Sequence, residues 1–87
     1  MARVEIYTTP SCPFCVRAKR LLDARGIDFE EVDVADDDTL RAQVIERTGR
    51  RTVPQIFIDG RSIGGFEELA ALDEAGELKV LSDTSAR

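Results

Sequence analysis

Apolar and charged positions alternate at the start of the chain and then change to helical spacing. Val4 and Ile6 alternate with charged residues, which predicts a first strand that continues to Thr8. A break follows, and Pro13 stands where the first turn of a helix tolerates a missing N–H group. Apolar residues then recur on one helical face until Gly26, which predicts a first helix that ends there.

The next stretch repeats this order with a second strand and a second helix. Phe29, Val32 and Val34 predict a short strand, although two adjacent glutamates interrupt its alternation. The acidic run at 36–38 is typical of a helix N-terminus, and Gly49 ends the helix that follows. A strand–helix–strand unit of this kind predicts two parallel strands joined by a right-handed crossover.

The second half of the chain contains a hairpin and a last helix. The apolar run at 56–58 is followed by Asp59-Gly60 and a second short run at 61–63. Asp-Gly suits the two positive φ angles of a type I′ turn, so these residues predict an antiparallel hairpin. Gly64-Gly65 precedes a helix whose apolar positions repeat up to Gly76.

Together these elements predict an α/β fold in which helices flank a mixed four-stranded sheet. A chain of 87 residues is long enough for one small core, so one domain is expected. Residues 1–81 carry all the patterned elements and form the predicted domain. Residues 82–87 contain no apolar side chain larger than alanine and are expected to form a frayed tail.

Composition narrows the possible functions. Hydrophobic residues make up 43% and the net charge is −5, which predicts a soluble protein that does not bind nucleic acid. No apolar run is long enough to span a membrane, and the N-terminus lacks the pattern of a secretory signal, so we expect a cytoplasmic protein. The absence of histidine excludes Ser–His and Cys–His dyads and histidine-ligated zinc.

The two cysteines, Cys12 and Cys15, follow a strand and open a helix. A thiolate is the nucleophile of disulfide exchange, and the free N–H groups of a helix N-terminus stabilise it. Cys12 is expected to be accessible and to attack, and Cys15, one turn further on, to be covered and to resolve. A zinc or iron–sulfur site needs about four ligands, which this pair does not supply, and two inert core cysteines remain the structural alternative.

Two further segments have both a functional and an ordinary structural interpretation. A cis bond at Val53-Pro54 would leave the Val53 backbone free to pair with an extended peptide, but a trans proline in a turn is far commoner. Gly64-Gly65 would let a ligand approach backbone N–H groups closely, although such pairs more often only shape a turn. Glu67 and Glu68 are typical of a first helical turn.

Three segments in this order resemble a known family: Cys12-Pro13-Phe14-Cys15-Val16-Arg17-Ala18-Lys19, Thr52-Val53-Pro54-Gln55-Ile56-Phe57-Ile58-Asp59 and Ile63-Gly64-Gly65. They are similar to those of dithiol glutaredoxins, in particular the bacterial glutaredoxin 3 type. The resemblance covers residues 3–81. It implies a thioredoxin-like fold, a cis bond before Pro54, glutathione as the reducing co-substrate, and no metal or tightly bound cofactor.

The resemblance also implies roles for individual residues. Cys12 matches the family's nucleophile and Cys15 its resolving cysteine. The glutathione groove would be formed by Arg41, Thr52, Val53, Pro54, Gly65, Phe66 and Glu67. Within it, Val53 pairs with the cysteine of glutathione, residues 65–67 bind its γ-glutamyl end, and Arg41 reaches its glycine carboxylate. Many relatives have lysine and tyrosine where this chain has Thr9 and Phe14.

The implied activity is glutathione-dependent reduction of protein disulfides and protein–glutathione mixed disulfides by a monomeric cytoplasmic enzyme. Two alternatives remain. One is a redoxin that is reduced by thioredoxin reductase, although its relatives have an aromatic-rich segment in place of Gly64-Gly65. The other is a carrier that holds an iron–sulfur cluster between two chains, with Cys12 and glutathione as ligands.

Overall fold

The computed structural model describes residues 3–79, and the predicted tail at 82–87 lies outside them. The elements follow the predicted order: β1 (Val4–Thr8), α1 (Pro13–Ala24), β2 (Glu30–Asp33), α2 (Asp38–Thr48), β3 (Gln55–Ile58), β4 (Arg61–Gly64) and α3 (Phe66–Glu74).

The four strands form one mixed sheet in the order β2-β1-β3-β4. β1 pairs in parallel with β2 and antiparallel with β3, and β3 pairs antiparallel with β4. The predicted α/β fold with a mixed four-stranded sheet is therefore confirmed. Since β1 and β3 are the two inner strands, the loops that follow β1 and precede β3 meet at the same end of the sheet.

The second strand is shorter than the sequence predicted. Phe29 and Val34 flank β2 instead of lying within it, yet both are directed into the protein: Phe29 packs against the core and Val34 is 1% exposed. The Val34 N–H group donates to the carbonyl oxygen of Thr8, at 2.9 Å. β2 is an edge strand, and the core covers both of its apolar neighbours: Phe29 packs against the cluster that contains Leu22, and Val34 belongs to the cluster that contains Val44.

Alternation along the inner strands divides the core between the two faces of the sheet. Ile6 and Ile56 lie on one face in a cluster with Leu22 of α1 and Leu69 of α3. Their neighbours lie on the other face in a cluster with α2: Tyr7, Phe57 and Val44. The sheet is thus covered by α1 and α3 on one side and by α2 on the other, because successive residues of a strand point to opposite faces.

Local signals fix the element ends where the sequence predicted them. Asp37 caps α2 by accepting the Leu40 N–H group at 2.9 Å. In the β3–β4 hairpin, Asp59 and Gly60 have φ angles of 52° and 80°, as a type I′ turn requires. The hairpin turn pairs β4 with β3, and β4 leads directly into α3.

Candidate active site

Cys12 occupies the N-cap position of α1, with Pro13 as the first helical residue. Its backbone is extended, and its Sγ accepts the N–H group of Cys15 at 3.0 Å. The two cysteines are joined by a disulfide, with their Cα atoms 5.1 Å apart. After reduction, the same N–H group and the positive end of the helix dipole are placed to stabilise a thiolate at Cys12.

The two sulfur atoms differ in their access to solvent. Cys15 is 1% exposed, as predicted for a covered resolving residue. Cys12 is the more exposed of the pair, but at 9% it is less accessible than the sequence suggested. The reason is a contact 41 residues away in sequence, because the Cys12 Sγ lies 3.5 Å from the carbonyl oxygen of Val53.

The basic residues of α1 are largely engaged elsewhere. The Arg17 guanidinium lies over the Phe14 ring, 5.4 Å from its centroid. The Lys19 ammonium donates to Glu31 Oε2 at 2.9 Å. The sequence left open which cation faces the sulfur, and the contact that α1 itself makes with Cys12 Sγ is the N–H group of Cys15 at the helix N-terminus.

Glu31 joins three elements behind the active-site loop. Its Oε2 accepts both from Lys19 and from the hydroxyl of the buried Thr8, the latter at 2.8 Å. The hydrogen bond from Lys19, followed by that from Thr8, holds the pKa of Glu31 below its ordinary value. Since Thr8 ends β1 and Lys19 is in α1, this carboxylate ties β2 to both sides of the loop that carries Cys12.

Replacing Glu31 tests the contribution of this carboxylate to stability. Glu31→Gln is expected to lower the free energy of unfolding at pH 7 by about 0.5 kcal/mol, since solvent screens a partly exposed pair. Because the pKa of Glu31 is lower in the folded protein than its ordinary value of 4.5, the ionised carboxylate stabilises the fold at pH values above 4.5. This stabilisation is lost as the pH falls through the pKa of the folded protein. The difference between the two proteins should therefore shrink between pH 7 and pH 3.

Urea unfolding at several pH values measures this difference. Glu46→Gln is the matched control, because Glu46 is exposed on α2 and is expected to have little effect on stability. A Glu31→Gln difference that grew as the pH fell would contradict the proposed origin of the stabilisation.

A groove of about 260 Å³ lies between the loop before β3 and the start of α3. Its lining consists of Phe14, Arg50, Thr52, Val53, Pro54, Gly65, Phe66, Glu67 and Glu68. The Val53-Pro54 bond is cis, as the resemblance implied. Since Val53 also contacts the Cys12 sulfur, the groove begins at the reactive cysteine.

The two sides of the groove approach each other closely at Gly65. A Cβ atom at this position would lie 3.1 Å from the carbonyl oxygen of Pro54, closer than nearly all such contacts in proteins. The absence of a side chain thus lets the N-terminus of α3 reach the loop before β3. The Phe14 and Phe66 rings, with centroids 6.1 Å apart, form an apolar wall beside it.

The N-terminus of α3 is held by a carboxylate that the sequence analysis did not select. Glu68 Oε1 accepts two hydrogen bonds, one from the Gly65 N–H group at 2.8 Å and one from Arg50 Nη1 at 2.5 Å. The hydrogen bond from Arg50, followed by that from Gly65, lowers the pKa of Glu68. The spacing of an N-cap residue and a glutamate three positions later is that of a capping box, a signal present in the sequence.

The structure brings most of the predicted site residues together. Cys12 adjoins the groove through its contact with Val53, and six predicted binding residues line it: Thr52, Val53, Pro54, Gly65, Phe66 and Glu67. Arg41 is exposed on α2 and is not part of that lining. Arg50 and Glu68 line the groove in addition to the predicted set.

No helix within residues 3–79 combines the length and the apolar character needed to cross a bilayer.

Comparison with known proteins identifies the family. The glutaredoxin family model matches residues 4–63. The chain is 51% identical to glutaredoxin 3 of Escherichia coli over 81 residues, covering 93% of this chain and 98% of the relative. It is 46% identical to a glutaredoxin of Pseudomonas aeruginosa, covering 93% and 96%.

Solved structures agree with this match. The solution structure of a glutaredoxin from Brucella melitensis has a TM-score of 0.82 and 48% identity, covering 93% of this chain and 88% of that one. The buckwheat glutaredoxin–glutathione complex has a TM-score of 0.86 and 27% identity, covering 95% and 78%. The fold is thioredoxin-like. The chain belongs to the glutaredoxin family, as a dithiol member of the glutaredoxin 3 type, and is a glutathione-dependent thiol–disulfide oxidoreductase.

Proposed function

We propose that this enzyme reduces protein disulfides and protein–glutathione mixed disulfides in the cytoplasm, as a monomer, with glutathione seated in the groove. The observation that carries the proposal is the position of Cys12. Its sulfur accepts a hydrogen bond from the Cys15 N–H group at the N-terminus of α1. The same sulfur lies 3.5 Å from the carbonyl oxygen of Val53, which lines the groove. A glutathione that is disulfide-bonded to Cys12 has the rest of its length beside this groove.

The groove offers partners for the cysteine and the γ-glutamyl end of glutathione. The Val53 backbone, beside Pro54, is placed to pair with the cysteine residue of glutathione. The first N–H groups of a helix have no intrahelical partners, so those of Phe66 and Glu67 are suited to the γ-glutamyl carboxylate. The Glu67 side chain is suited to the γ-glutamyl ammonium. A similar structure, the buckwheat relative, is a glutathione complex, which supports glutathione as the ligand of this fold.

Removal of glutathione from a protein needs Cys12 alone. The Cys12 thiolate attacks the glutathione sulfur of the mixed disulfide, and the protein leaves as a thiolate that takes up a proton. A second glutathione, as its thiolate, then attacks the glutathione sulfur bound to Cys12. This step releases the Cys12 thiolate and glutathione disulfide, so the two electrons come from the two glutathione molecules.

Reduction of a protein disulfide uses both cysteines. Cys12 attacks one sulfur of the substrate and forms a mixed disulfide, releasing the other substrate sulfur as a thiolate. Cys15 then attacks Cys12, which frees the reduced substrate and leaves the Cys12–Cys15 disulfide. Two glutathione molecules restore the dithiol and leave as glutathione disulfide.

The other assignments remain part of the proposal. Arg41 is predicted to reach the glycine carboxylate of glutathione from α2, a role for which its exposure leaves the side chain free. Residues 1–81 form the glutaredoxin domain. The net charge of −5 supports the expectation that the partners are glutathione and disulfide-containing or glutathionylated proteins, and not nucleic acid.

A coupled assay tests the electron source. With a glutathionylated protein as substrate, we expect steady NADPH oxidation when glutathione and glutathione reductase are supplied. Thioredoxin reductase with NADPH and no glutathione should give only the background rate, because no second glutathione is then present to release the glutathionyl group from Cys12. The variant Cys12→Ser provides the blank for both assays.

Two results would contradict the proposal. Faster turnover with thioredoxin reductase would favour the redoxin alternative. A visible absorption band in freshly purified protein that depends on glutathione would favour the iron–sulfur carrier.

A further inference from the structure

The charges that line the groove do not pair one to one with the charges of glutathione. Within the described residues, the lining contains one cation, Arg50, and two carboxylates, Glu67 and Glu68. The ligand has two carboxylates and one ammonium group. Glu67 is proposed to bind the ammonium group, which is the only cation of the ligand. The negative charge of Glu68 is therefore unmatched, and it lies close to the place proposed for the γ-glutamyl carboxylate.

Arg50 provides the missing compensation. Its Nη1 lies 2.5 Å from Glu68 Oε1, and the same oxygen accepts the Gly65 N–H group at 2.8 Å. The Glu68 carboxylate is therefore fixed at the head of α3, one residue from the N–H groups proposed for the γ-glutamyl carboxylate. Like charges in such a position repel each other, and a partner cation removes most of that repulsion.

We propose that Arg50 is a positioning residue that admits the anionic end of glutathione by neutralising Glu68. The groove's preference for glutathione over uncharged disulfides then depends on Arg50 only while Glu68 is charged. This inference rests on the proposed function, because it takes glutathione to be the occupant of the groove. The hydrogen bond from Arg50, followed by that from Gly65, lowers the pKa of Glu68, so this carboxylate is charged near neutral pH.

A purely mechanical role predicts a different pattern. If Arg50 only tied the loop before β3 to α3, loss of either partner would open the groove, and loss of both would be no better. If the charge matters, Arg50→Met leaves an uncompensated carboxylate and weakens binding. Glu68→Gln keeps an acceptor for the Gly65 N–H group and leaves a free cation, so binding is maintained or improved.

Disulfide exchange at equilibrium measures this preference directly. In the Cys15→Ser background, the Cys12 thiolate reacts with glutathione disulfide to give the Cys12–glutathione mixed disulfide and one glutathione. The same exchange with bis(2-hydroxyethyl) disulfide gives an uncharged adduct. The ratio of the two equilibrium constants measures how much the groove favours glutathione over the uncharged adduct. A change in the Cys12 thiolate itself affects both reactions and cancels in the ratio.

The variants have opposite expected effects. Arg50→Met should lower the ratio about five- to tenfold at low ionic strength, and less at high salt. Glu68→Gln should not lower it, and Arg50→Met/Glu68→Gln should return to within about twofold of the parent if the two charges compensate. Arg50→Lys keeps the charge and should stay close to the parent.

A second arginine–carboxylate pair serves as the control. Arg25 and Asp73 are joined at 2.6 Å, tie α1 to α3, and do not line the groove. Arg25→Met and Asp73→Asn should leave the ratio unchanged. Thermal unfolding of every variant separates loss of the fold from loss of preference.

The outcomes separate this inference from the proposed function. If Glu68→Gln lowers the ratio as much as Arg50→Met and the double variant is not restored, Arg50 is a mechanical tie and the inference is wrong. If the Cys15→Ser parent shows no preference for glutathione over the uncharged disulfide, the proposed occupancy of the groove fails before Arg50 is considered.

Discussion

Cys12→Ser is expected to reduce both activities to the uncatalysed background. A serine hydroxyl is not ionised near neutral pH, so the helix N–H groups have no anion to stabilise. The sequence contains no histidine that could act as a general base for the hydroxyl. Cys15 cannot replace the lost thiol, because it is 1% exposed and lies one turn inside α1.

The measurement is the rate of glutathione release from a glutathionylated protein and the rate of reduction of a protein disulfide. Ser11→Ala is a suitable control, since it alters the exposed neighbour of Cys12 without touching a sulfur atom. Retention of either activity in Cys12→Ser, together with loss of both in Cys15→Ser, would show that the roles of the two sulfurs are exchanged.

Cys15→Ser is expected to separate the two activities. Removal of glutathione should survive, because the contact to Cys12 Sγ comes from the backbone N–H of residue 15 and does not depend on its side chain. Reduction of a protein disulfide by the dithiol route should fall by about tenfold or more. Without the second thiol, only external glutathione can break the intermolecular disulfide.

Both substrates should be assayed with the same preparation of the variant. A mixed disulfide between Cys12 and the protein substrate should accumulate and be visible on a non-reducing gel. Equal loss of both activities would contradict the division of roles, because it would mean that Cys15 acts in a step the two reactions share.

The elements that could be predicted from sequence are those whose signals are local. Asp59-Gly60 specifies a tight turn with two residues, and Pro13 and Gly49 mark the start of one helix and the end of another. The burial order of the two cysteines also followed from their places in one helix. Such features require only neighbours within about one turn.

Other features depend on residues that are distant in sequence. Cys12 is covered in part by Val53, and the Glu68 carboxylate that accepts the Gly65 N–H group is also bound by Arg50 from the loop before β3. No spacing rule links these positions before the fold is known. The cis bond at Pro54 likewise came from the family resemblance, because base rates favour the trans form.

The 41 residues that separate Cys12 from Val53 have a consequence during synthesis. A ribosome completes both cysteines well before it reaches the loop at 52–54 or the start of α3, so a nascent chain has a reactive dithiol but no groove. At that stage we expect the thiols to react with any accessible disulfide, with no preference for one that contains glutathione. The proposed preference for glutathione therefore requires the chain to have folded as far as the start of α3 at Phe66, and measuring it would report on folding in a way that counting thiols does not.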